Sequence, residues 1–281
     1  MFCKYLALLA VSGALTLHAQ VTPLRDGWAG STLNQQASRA SAPAAKSDGR
    51  QIAVFSGDTI IPQFVDGDGW KTSITLVNLE SRAVTARVFF FQDDGTDLLV
   101  DVAGLGVVRG VELAFQSAGS LTFETTGTAR SLASGWARLD KSTGDTIAGM
   151  AIFRQRVDGR PDQEAVVPIV NQFSTQFVLL YDNTAFTTAV ALANPSGRAV
   201  SFPVNIRNEE GAIVDRQTLS LPAFGHTAFT TPDTWRATAG RRGSIEFNTA
   251  GVGIGALGLR FGQSAFTSFH ALENVKWVQN P

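Results

Sequence analysis

Residues 66–95 read DGDGWKTSITLVNLESRAVTARVFFFQDDG, and residues 182–211 read DNTAFTTAVALANPSGRAVSFPVNIRNEEG. The second stretch lies 116 residues after the first and matches it without a gap. Asp66 falls on Asp182, Trp70 on Phe186, Thr72 on Thr188 and Asn78 on Asn194. Arg82-Ala83-Val84 falls on Arg198-Ala199-Val200, and Gly95 on Gly211 after two acids in each copy. Chance alternation aligns apolar residues. It does not also align an aromatic, an Asn, an Arg-Ala-Val and a turn. The match therefore marks an internal repeat.

Within the stretch the period is two. Thr72, Ile74 and Leu76 lie on one face of a strand, and Ser73, Thr75 and Val77 on the other. The first face is the more apolar and is expected to meet a core. Val84, Ala86, Val88 and Phe90 share a face of the next strand, while Phe89 and Phe91 add bulk behind it. That strand is expected to be buried on both sides near its end. Asp93-Asp94-Gly95 supplies the turn.

Outward from this block the likeness loosens. Gly135-Trp136-Ala137-Arg138-Leu139 resembles Gly243-Ser244-Ile245-Glu246-Phe247, and Ile147–Phe153 parallels Ile254–Arg260. Neither copy has a sustained amphipathic helix, which disfavours a parallel sheet with crossover helices. One short helix is expected at Pro232–Ala239, with Thr231 as its cap and Pro232 at its first position. The fold class that results is all-β, two tandem immunoglobulin-like β-sandwich domains of seven or so strands each. Their expected bounds are 51–170 and 171–281.

What precedes the repeat reads as an address. Residues 1–19, MFCKYLALLAVSGALTLHA, combine Lys4, an apolar run and Ala19 before Gln20. This is a signal-peptide layout. The run from Tyr5 to Leu17 is about 13 residues, short of the roughly 20 that span a bilayer. Residues 20–50 are small and polar and are expected to form a flexible leader. Removing residues 1–19 removes Cys3, the chain's one cysteine, and Lys4. The remaining chain then has 22 basic against 24 acidic residues. That balance provides no excess cation for nucleic acid. No later apolar run is long enough to span a membrane as a helix. The expected location is extracellular or periplasmic, in a bacterium, since an exported chain without cysteine relies on burial alone.

Candidate chemistry is sparse. His226 and His270 lack close ligand spacing with an acid such as Glu246 or Glu273. Asp66 and Asp68 are the calcium candidates, because hard cations take oxygen ligands. Yet DGDGW lacks the full spacing of a calcium loop, and acids beside Gly are commonly turn formers. Ser131, Ser134, Ser244 and Ser264 do not stand in a G-x-S-x-G elbow. Gly251-x-Gly253-x-Gly255 lacks the helix that a nucleotide loop requires, and reads as a turn entering a strand. Arg154, Arg156 and Arg160 form a charged loop with Asp158, Asp162 and Glu164, which suits an anionic sugar or a protein partner but more commonly is a solvated hairpin. Trp70, Phe186 and Trp28 are candidate aromatic contacts for a glycan. As repeat positions, Trp70 and Phe186 are better explained by a shared core or by loop anchoring.

DGDGWKTSITLVN, FFFQDDG, GWARL…AIFRQR and VALANPSGRAV together resemble secreted bacterial β-sandwich proteins. The resemblance spans most of 60–275. It implies an exported, non-enzymatic surface or periplasmic module and brings no catalytic residues or cofactor. The expected function is a structural or adhesive interaction module without catalysis, its partner a protein or a cell-envelope glycan. The alternatives are a carbohydrate-binding module and a hydrolase built on Asp and Glu carboxylates. An outer-membrane barrel is the remaining one.

Overall fold

The computed structural model describes residues 19–24, 55–249 and 251–273. Residues 1–18 of the expected signal peptide lie outside them, as do Trp28 and most of the expected leader. The start of the leader differs from expectation. Gln20–Pro23 forms a strand, β1, antiparallel to a sheet edge at Val111–Ala114. Val21 supplies the reason: it packs against the core of the first sandwich.

The first repeat unit begins with β2 (Phe55–Asp66), β3 (Trp70–Asn78) and β4 (Val84–Phe91). A small ribbon of β5 (Val100–Val102) and β6 (Gly106–Val108) follows. Then come β7 (Gly110–Phe115), β8 (Ser120–Glu124), β9 (Ala133–Ser142), β10 (Ile147–Gln155) and β11 (Gln163–Pro168). The second unit contains β12 (Gln176–Asp182), β13 (Thr187–Ala193), β14 (Val200–Asn208), β15 (Ile213–Leu221) and β16 (His226–Thr230). A one-turn helix, α1 (Thr231–Thr234), and a 3₁₀ turn at Arg236–Thr238 connect to β17 (Arg242–Asn248). The unit ends with β18 (Gly255–Phe261), β19 (Phe266–His270) and β20 (Leu272–Glu273).

The sheet orders are β1-β7-β4-β9-β2 with β11-β10-β3-β8, and β15-β14-β17-β12-β20 with β16-β13-β18-β19. Without β1 and β20 the two pairs are the same arrangement. The repeat in sequence is thus a repeat of sandwich topology, with eight equivalent strands per unit. All orders are linear, so these sheets do not close into barrels. The strand order also departs from the immunoglobulin pattern, in which the first, second, fifth and fourth strands share a sheet. Here the first strand of each unit pairs with the sixth, and the seventh pairs with the second. Alternation specifies which residues face a core. It does not specify which strand lies alongside.

The repeated residues hold equivalent structural jobs. Ile74 and Leu76 are buried in one core, Val190 and Leu192 in the other. Asn78 donates its amide to the carbonyls of Arg82 and Gln116, each at 2.8 Å. Asn194 does the same to Arg198 and Pro222, at 2.8 and 2.7 Å. Gly95 and Gly211 both turn the chain at left-handed φ, 83° and 82°. A Cβ at Gly135 would overlap the Phe91 carbonyl oxygen, and one at Gly243 would overlap that of Arg207, the matching residue. The short helix begins one residue earlier than expected, with Thr230 at its N-cap. Thr231 is instead buried, accepting a 2.9 Å hydrogen bond from Asn183.

The two sandwiches pack against each other. Leu257, Leu259 and Phe266 of the second join the core of the first, together with Ala189 and Ala191. They reach it at the edge formed by β2 and β11, which contacts β13, β18 and β19. Gly255 permits the approach, since a Cβ there would overlap the Ile60 side chain. A second contact buries Phe89, Phe91 and Trp136 with Ala193 and Phe224.

Candidate functional site

The seam between the two sheets of the second sandwich opens as a groove of about 760 Å³. One wall is the end of β12, with Leu180, Tyr181 and Asp182; the other is β19, with Thr267, Phe269 and His270. Arg242 and Arg260 stand at its polar rim. Ladder registers explain why it opens only here. Phe153 pairs with Thr72, and Arg260 with Thr188, the matching residue. A buried Phe in the first unit is therefore an exposed Arg in the second. Likewise Ala165 opposite Phe153 becomes Thr267 opposite Arg260. Arg260 swings over the Phe186 ring, 4.3 Å from its centroid.

The groove's electrostatics are local. Asp182 pairs with Arg242 at 3.1 Å. Its carboxyl is held below the usual range, chiefly by the Thr184 hydroxyl, which donates to it at 2.6 Å, against an opposing effect of burial. Burial pushes the Tyr181 phenol up, and that hydroxyl donates to the Arg207 carbonyl at 3.1 Å. Apolar walls with a few polar groups at the rim suit a ligand that carries apolar surface.

The residues singled out from sequence are scattered. Trp70 is half-buried, edge-on to Phe153 at 6.5 Å and tilted against Phe266 of the other sandwich at 5.2 Å. Phe186 lies beneath Arg260. Arg154 is ion-paired with Glu164 at 2.6 Å, which holds its guanidinium above the usual range. Arg156 and Arg160 line an open polar trough of about 690 Å³ with Asp68, Asp158, Gly262 and Gln263. There Arg160 donates to the Gln263 carbonyl at 2.6 Å, tying the charged loop to the second sandwich. Asp66 is buried and accepts from the Gly127 amide at 2.9 Å, while Asp68 is exposed with φ 50°. Among the described residues no three His, Cys, Asp or Glu side chains come together in a metal-holding group. No helix among them is long and apolar enough to cross a membrane.

The two histidines part company. His270 is exposed at the groove. His226 is buried between the sandwiches, its Nδ1 2.6 Å from the Asp93 carboxylate and its Nε2 2.7 Å from the side-chain Oε1 of Gln63. The His226 amide also donates to the Asp93 carbonyl at 3.1 Å. Sequence reasoning missed this latch and the groove alike. Each depends on residues far apart in the chain, and only the Phe153-to-Arg260 divergence between repeats signals the groove.

No family model matches the chain, and neither a curated protein nor a solved structure matches it. What stands of the expected resemblance is the all-β organisation in two sandwich-like units.

Proposed function

We propose that the protein is an exported, non-catalytic interaction module that binds a partner in the groove of its second sandwich. One observation carries this reading. The equivalent seam of the first sandwich is filled by Leu257, Leu259 and Phe266 from its neighbour, whereas the second seam keeps its walls accessible. A seam that accepts apolar side chains in one repeat is a ready binding surface in the other. Export follows from the layout of residues 1–19. The structural or adhesive role is inferred from an all-β body of two sandwich-like units, with the partner a protein or envelope glycan.

The test is retention of the purified mature chain on cell-envelope fractions and on a glycan array, beside Leu180→Asp. Leu180 is exposed, so the change leaves the fold intact. Retention of the parent and its loss in the variant are expected. Equal retention of both would remove the groove from the reading. Binding to glycans that survives Leu180→Asp and fails on Trp70→Ala would favour a carbohydrate-binding module instead.

A further inference from the structure

We propose that the groove receives the first sandwich of a second copy of this chain, so that copies associate head to tail. This rests on the reading of the seam as a binding surface, and names its occupant. The argument comes from the interface inside the chain. There, Leu257 and Leu259 on β18 enter the seam of the first sandwich. By register, their equivalents on β10 are Met150 and Ile152. Met150 is 44% exposed, and Val166 beside Ile152 on β11 is 47% exposed. At the receiving end, Leu180 is 54% exposed and Leu272 46%. These four are half of the large apolar side chains exposed among the described residues, so the exposure concentrates on one matched pair of surfaces.

Both surfaces are continuous with the interface already formed. Phe266 on β19 packs into the first sandwich, and the Ser268 hydroxyl donates to the Val166 carbonyl. Thr267 and Phe269, on the other face of that strand, line the groove. The inserting face thus begins where the internal interface ends, and the receiving wall is the back of the strand that makes it. The contact is heterologous, leaving an unused face and an unused groove at the ends of each assembly. It is also weaker than the internal one. Ser73 and Thr75 stand where Ala189 and Ala191 lie flat, and Ser244 replaces Trp136.

Light scattering and sedimentation of the full mature chain over a range of concentrations test this. The mean mass is expected to rise with concentration. Met150→Asp and Leu180→Asp are each expected to stay monomeric, since burying a carboxylate weakens association by about a hundredfold or more. Circular dichroism and melting of both variants confirm folding. Mixing them is the sharper experiment. The first keeps its groove and the second keeps its inserting face, so the mixture is expected to form dimers that stop at two. A parent chain that stays monomeric throughout would overturn the proposal. So would a single variant that assembles like the parent, or a mixture that stays monomeric. If the parent is monomeric while Leu180→Asp still lowers retention on envelope fractions, the groove remains a binding surface and only its occupant is wrong.

Discussion

The two sandwiches share a topology and differ on their outer faces. On β3 the outward residues Ser73, Thr75 and Val77 are partly exposed. On β13 the same places hold Ala189, Ala191 and Ala193, all buried against the first sandwich. The other sheet shows the reverse. Phe91, Trp136 and Arg138 of the first sandwich become Arg207, Ser244 and Glu246 in the second. The first set is buried at the junction, with the Trp136 indole donating to the Phe224 carbonyl at 2.7 Å. The second set is a half-buried polar face closed by an Arg207–Glu246 pair at 3.0 Å. Most inward residues are thus kept between the repeats by the fold, with Phe153 to Arg260 the departure at the groove. Outward residues diverge by which neighbour they meet.

The largest expected effect breaks the junction where that divergence is greatest. Trp136→Ala removes a fully buried ring, its stacking on Phe91 at 4.6 Å and a partner for the Phe224 carbonyl. Loss of about 3–5 kcal/mol is expected in denaturant unfolding. Ser244→Ala, at the matching position, is expected to change stability by no more than about 0.5 kcal/mol. Equal effects at the two positions would mean that the sandwiches do not depend on this contact.

A smaller effect tests the flat face. Ala191→Thr, which installs the residue its repeat uses, is expected to cost about 1–3 kcal/mol by overpacking against the first sandwich. The reciprocal Thr75→Ala loses a 2.8 Å hydroxyl pair with Thr122 on an exposed face, worth about 0.2–1 kcal/mol. Melting of the two variants side by side measures the asymmetry. If Thr is accepted equally at both places, the alanine face is not what allows close docking.

These contrasts also separate what was legible in the sequence from what was not. The repeat was read from Asn78 and Asn194, from Gly95 and Gly211 and from the alternating strands. The asparagines bond and the glycines turn the chain within their own strand connections, which a local pattern reveals. Trp136 was legible as part of a strand that matches Gly243–Phe247 but not as a residue of the junction, because its ring points away from its own sandwich. Gln20–Pro23 read as leader because four residues carry no period. Their strand exists only because an edge at β7 is available to pair. The immunoglobulin-like order failed for the same reason, since partner choice is decided between strands distant in the chain. The divergence of Phe153 to Arg260 stood in the aligned sequences, but only the ladders show that it lies at the seam where the groove opens.

The last contrast is between two acids at one repeat position. Asp66 accepts from Gly127 across its sandwich at 2.9 Å, and Asp182 accepts from Thr184 two residues on and pairs with Arg242. The Thr184 hydroxyl is the chief reason that the Asp182 carboxyl titrates below its ordinary value. A folded-state value below the unfolded one means that this carboxylate stabilises the fold above about pH 4. The contribution falls away as pH drops through the folded value, because the protonated acid no longer attracts the hydroxyl proton or the guanidinium. Asp182→Asn keeps an acceptor for Thr184 and removes the titration. Its unfolding midpoint is expected to depend less steeply on pH in that acid window than the parent's, while the two lie close below it. The partly exposed site makes this the smallest of the effects. Parallel midpoint curves for parent and variant would show that the hydrogen bond is as strong to the acid as to the carboxylate.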